Sequence, residues 1–102
     1  MSDRNADARG VATITMDPAS VAANTSAEQA FTVPGLDVSM SVSLNKPSLD
    51  AGLGIVNVRV SANNTLAVTF MNTTGSAINP SEEAYKLFWF KPNVTTVGAV
   101  KP

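Results

Sequence analysis

The sequence predicts an all-β domain folded as a two-layer antiparallel β-sandwich. Three observations carry that prediction. Apolar residues recur at every second position in several short runs, clusters of Asn, Thr, Ser, Gly and Pro separate the runs, and no stretch sustains a helical period. A period of two marks a strand with one buried and one solvated face. Strands this short, joined by polar turns, are accommodated by two stacked sheets, and about seven of them are expected in a chain of this length.

The opening segment MSDRNADARG is polar and mixed in charge. It cannot offset the entropy of its own ordering, so residues 1–10 read as an arm, either frayed or ordered only against a neighbour. VATITM then sets Ala12, Ile14 and Met16 against Thr13 and Thr15, and DPASVAANTS is a loop, since Asp-Pro and the Asn/Thr/Ser cluster favour turns. AEQAFTV places Ala27, Phe31 and Val33 in phase, opposite Glu28 and Thr32, until Pro34–Gly35 breaks the run. The cleanest alternation is LDVSMSVSL: Leu36, Val38, Met40, Val42 and Leu44 face one way, and Asp37, Ser39, Ser41 and Ser43 the other. It predicts one unbroken strand lining the core.

After the loop NKPSLDAGLG, IVNVRV sets Val56, Val58 and Val60 against Asn57 and Arg59. SANN reads as a tight hairpin turn, because Asn tolerates left-handed backbone, and LAVTFM returns with Leu66, Val68 and Phe70 in phase. NTTGSAINPSEE is a further connection, with PSEEA the one candidate for a helical turn. AYKLFWF is the last strong strand: Tyr85, Leu87 and Trp89 share one face, leaving Phe88 and Phe90 outward beside Lys86. The end of the chain is a tail or an edge strand. The organisation is therefore an N-terminal arm (1–10), a sandwich of Ig-like or jelly-roll-like type (11–92) and a C-terminal tail or edge strand (93–102).

Composition narrows the function. The 102 residues suggest one domain, and 44% hydrophobic with 15% charged residues describes a folded chain with an uncharged polar surface. A net charge of −1 and a pI near 5.1 lack the excess of cations that phosphate binding needs, so nucleic acid is not an expected partner. Cysteine is absent, which removes disulfides and thiolate metal sites. The start has no apolar leader and no stretch has the length of a membrane span, so synthesis in a reducing cytoplasm and no membrane partner are expected.

Chemistry is sparse as well. Without His there is no Ser-His or Cys-His pair and no imidazole ligand. Glu82 and Glu83 are neighbours that would point to opposite faces of a strand, and they read as a solvated turn. Asp37 and Asp50 lack calcium-loop spacing, and the glycines form no phosphate-binding fingerprint. Neither catalysis, a metal nor a cofactor is expected. N-x-[ST] sequons at Asn24, Asn63, Asn72 and Asn93 read as chance matches in a chain rich in these residues. Trp89, in phase with Leu87 and Tyr85, reads as core rather than as a sugar-stacking platform.

The stretch ITMDPASVAANTSAEQAFTVPGLDV, joined to VNVRVSANNTLAVTFMNTTGSAINPSEEAYKLFWF, resembles the small all-β modules of tailed-phage virion proteins found in head decorations, head fibres and tail-fibre tips. The likeness runs from Val11 to Lys91 and lies in the order of elements and their turn chemistry. It implies a β-sandwich that assembles as a homo-oligomer, trimer or dimer, or packs on a capsid or fibre. A fibre protein would carry a long shaft or attachment domain. The expectation is therefore a capsid decoration or cement protein, made in the bacterial host cytoplasm and bound to the outer capsid surface, with the major capsid protein as partner. The alternative is a host-receptor or carbohydrate-binding module of a head or tail fibre. The candidate interface is Phe88, Phe90 and Lys86 with Arg4 and Arg9 of the arm. Two outward Phe on one strand make a patch that a soluble monomer avoids. Either Val94, Val97 and Val100 of the tail fold back over it, or a neighbouring subunit or the shell does.

Overall fold

The computed structural model describes residues 8–93 and 97–102. Among them are six strands: β1 (Ala8–Met16), β2 (Thr25–Thr32), β3 (Ser41–Asn45), β4 (Leu53–Ala62), β5 (Thr65–Asn72) and β6 (Glu83–Lys91). They form two three-stranded sheets, a front sheet in the order β1-β6-β3 and a back sheet in the order β2-β5-β4. Every strand pairing is antiparallel. The chain is thus an all-β, two-layer sandwich. No helix occurs among the described residues: PSEEA forms no helical turn, its last two residues opening β6, and Val97–Pro102 takes up no regular structure.

The core lies between the sheets. From the back sheet come Leu66, Val68 and Phe70, and from the front sheet Tyr85 and Leu87, all essentially without solvent exposure. Met16, Val21, Leu36 and Leu53 join them. Full burial of such side chains stabilises the fold by roughly 1.5–3 kcal/mol each before entropy is counted. The alternation read from LAVTFM and AYKLFWF therefore has the phase expected of it.

Two other runs depart from their expected phase. Val38 is 64% exposed and β3 begins only at Ser41. The cause is Asp37, whose side chain accepts the backbone N–H of Ser39 at 2.8 Å while its carbonyl accepts that of Met40 at 3.0 Å. This local turn outcompetes the extended ladder, although Leu36 and Met40 still reach the core from it. Val56 is 56% exposed because the register slips there: Ile55 pairs with Phe70 but Asn57 with Thr69. Val56 is the extra residue of a β-bulge, so Ile55 takes the inward place, and Val58 and Val60 keep theirs.

The β4–β5 hairpin turns at Asn63–Asn64, with Asn64 in the left-handed region at φ 63°. Its Oδ1 accepts the Gly35 N–H at 2.9 Å and its own N–H donates to the Leu36 carbonyl at 2.7 Å, which ties the end of β2 to the hairpin. At the other end of the back sheet, Asn72 is fully buried. Its Nδ2 donates to the carbonyls of Val21 (3.1 Å) and Ser76 (2.8 Å), and its Oδ1 accepts from the Thr74 N–H and hydroxyl, each at 2.8 Å. One side chain thereby fixes two loops, which the Val21–Ile78 bridge also joins to each other. Asn72 is thus a structural residue, which accords with its N-x-[ST] match being a chance one.

Candidate functional site

The outer face of the front sheet is set by strand register. Across β1-β6-β3 the outward residues form rows: Arg9–Phe90–Ser41, then Val11–Phe88–Ser43, then Thr13–Lys86–Asn45. β1 starts at Ala8, so the last residues of the expected arm belong to the sheet and hold Arg9 beside Phe90. Val11 is 60% and Phe88 46% exposed, while Phe90 is half-buried. Together they line a shallow, open depression of about 510 Å³. Val38, Leu49 and Met71 are exposed too, but they stand outside this depression. Single apolar residues on a surface need no explanation, whereas a contiguous patch does.

Directly beneath, on the inner side of the same sheet, Trp89 lies partly buried over Gly10. A Cβ at Gly10 would sit 2.6 Å from the indole ring, so only glycine lets the ring lie flat across β1. Trp89 is accordingly an inward residue, and the outward ring system is that of Phe88 and Phe90.

Four of the five expected interface residues fall within the description. Phe88, Phe90, Lys86 and Arg9 all lie on this one face, and Arg4 lies outside the described residues. Val11 was not foreseen. Its signal was a β-branched apolar residue in the solvent phase of β1, opposite Phe88. Val97 and Val100 are exposed and do not line the depression, and Val94 lies outside the described residues. Among the described residues, nothing of the tail covers the patch.

Charge divides the surface. Glu28 meets Arg59 at 2.8 Å, Asp37 meets Lys91 at 2.9 Å, and Lys46 joins Asp50 at 2.7 Å and Glu83 at 2.8 Å. Glu83 is therefore no solvated turn residue: it opens β6 and anchors the β3–β4 loop through Lys46. The Lys91 ammonium and the Ser39 hydroxyl and N–H hold the Asp37 carboxyl down at about 2. Lys46, and then Ser48, likewise hold Glu83 below the ordinary carboxylate range. Burial works to lower Lys46, but Asp50 and Glu83 outweigh it and raise the ammonium. Arg9 and Lys86 take part in no ion pair among the described residues, and no carboxylate occurs in the three rows around them.

No protein-family model, curated protein or solved structure matches the chain. The site is thus defined by its own geometry: a shallow, open sheet face with an apolar centre and two cations that form no ion pair among the described residues. Its groups suit adhesion. Among the described residues no three metal-ligating side chains gather, and Asp50 and Glu83 share a lysine.

Proposed function

We propose that this chain is a non-enzymatic structural protein of a phage virion, a decoration or cement protein bound to the outside of the major capsid shell. The observation that carries the docking part is the open row Val11–Phe88, with Phe90 beside it, on the front sheet. The virion setting rests on the resemblance of the element order and turn chemistry to phage head and tail modules. Docking would withdraw the apolar row from water, and a ligand that binds only the assembled shell stabilises it by mass action. Self-association into a trimer or dimer belongs to the same proposal and would use the free strand edges. The alternative of a sugar-binding fibre module called for exposed aromatics in a concave loop site. Here they lie in a shallow, open depression on a sheet face, away from the loops.

Replacing Phe88→Ser and Phe90→Ser together tests the reading. The variant is expected to stay folded by circular dichroism and to lose sedimentation with undecorated shells of the phage that encodes it. Unfolding of the variant as a monomer would assign both rings to the core. Copy number in purified particles separates the two settings: hundreds of copies mean capsid, a handful mean fibre.

A further inference from the structure

We infer that the outer face of the front sheet docks a different protein, whose contact surface carries carboxylates around an apolar centre, and not a second copy of this chain. The inference rests on the docking reading above, but not on which particle is docked. Strand register places Arg9 in the first row and Lys86 in the third, with Val11, Phe88 and Phe90 between and beside them. Rows on one face of a strand repeat every two residues, so the two cations stand about 13–14 Å apart along the sheet. Neither has an acidic partner among the described residues, although the chain as a whole is slightly acidic. Four of its carboxylates are committed elsewhere, Glu28 to Arg59 on the back sheet, Asp37 to Lys91, and Asp50 and Glu83 to Lys46, and Asp17 and Glu82 lie outside the three rows.

A self-complementary interface must satisfy each patch with its own copy. Two front faces packed centre to centre would bring the cations of one copy toward those of the other over an apolar centre, with no carboxylate in these rows to compensate. Like charges brought together at an interface oppose association and exclude the wrong partner. A partner with carboxylates at matching separation would neutralise both cations while its apolar centre covers Val11 and Phe88. A nucleic acid would engage the two cations but leave the apolar row uncovered.

The full-length chain serves for the test. Arg9→Glu with Lys86→Glu should keep the wild-type urea midpoint, lower affinity for undecorated shells at least ~10-fold, and flatten its dependence on salt. Independently of any particle, an alternating Glu–Phe peptide should shift the amide resonances of Val11, Lys86 and Phe88, and a Lys–Phe peptide of the same length should not. If shells are not bound at all, the virion proposal fails and the peptide titration alone decides the inference. Shell binding indifferent to the charge reversal overturns the inference while sparing the docking proposal. So does equal binding of the two peptides. A wild-type dimer in sedimentation that Phe88→Ser dissolves overturns it as well, because the occupant would then be a second copy.

Discussion

The two central strands, β5 of the back sheet and β6 of the front sheet, share the same alternating grammar and end in different surroundings. On β5 the inward Leu66, Val68 and Phe70 are buried, and so is the outward Ala67. The Glu28–Arg59 pair spans the strand above Ala67 and Thr69, so small side chains on β5 leave room for a polar lid. On β6 the inward Tyr85 and Leu87 are as deeply buried, but the outward Phe88 meets water beside Val11. The outer face of the back sheet is thus covered at its centre, with Met71 exposed toward one end, whereas the front sheet leaves Val11 and Phe88 open side by side. The contrast teaches that exposure of a large ring here follows from what the flanking strands supply. β2 and β4 bring a matched acid and base, whereas β1 and β3 bring Arg9, Val11 and two serines.

The widest test of this contrast sets Phe70 against Phe88. Phe70→Ala should cost about 3–5 kcal/mol in urea unfolding through lost burial and a cavity, and Phe88→Ala less than about 1 kcal/mol. Equal costs would abolish the distinction between the two strands. Asn72→Ala comes next, at about 1–3 kcal/mol, since it removes the buried hydrogen bonds to the Val21 and Ser76 carbonyls and from Thr74 that hold both loops at the end of the back sheet. Gly10→Ala should cost a similar or smaller amount, about 1–3 kcal/mol, by pushing the Trp89 ring off β1, and it should shift tryptophan emission. Gly54→Ala, where an added Cβ meets nothing within 4 Å, is the control.

Smaller still is a pH effect at the edge of the open face. Asp37 is held at about 2, below its ordinary 3.8, so the native state favours its charged form. The stability this contributes is present above the ordinary value and is lost as pH falls toward about 2. Lys91→Met should flatten the acid limb of thermal unfolding over that window. The smallest change is expected from Glu28→Gln, because the Glu28–Arg59 pair is exposed and screened. Its effect on the melting temperature should shrink further in high salt.

Much of this arrangement was legible in the residues. AYKLFWF gave the right inward and outward sets because β6 is central and unbulged, so its neighbours hold the alternation in phase along its whole length. SANN gave the hairpin because the left-handed backbone it needs is a local property of Asn. IVNVRV misled at Val56, since an extra residue in a ladder is decided by the partner strand and leaves no mark on the run itself. LDVSMSVSL misled at Val38, where Asp37 offered the backbone a turn stronger than its pattern. Asn72 read as turn chemistry because its partners at Val21 and Ser76 are known only once the chain has folded. The face of the candidate site was legible from Phe88 and Phe90. The absence of carboxylates from its three rows was not, because it depends on the register of β1 and β3 on β6.

Strand order also constrains the sequence of assembly. β6 is the last described strand along the chain and the middle one of the front sheet, so among the described strands β1 and β3 have no hydrogen-bonding neighbour in their own sheet until Glu83–Lys91 has left the ribosome. The back sheet needs only the chain through Asn72 and contains the local β4–β5 hairpin. Its pairings close shorter loops than the β1–β6 pairing, which spans nearly the whole domain, and short closures form sooner. During synthesis the nascent chain therefore carries two orphan strands with open edges beside a formed half-sandwich. A ribosome stalled before Glu83 would hold that intermediate, and strand exchange between neighbouring nascent chains on one message is the error it invites.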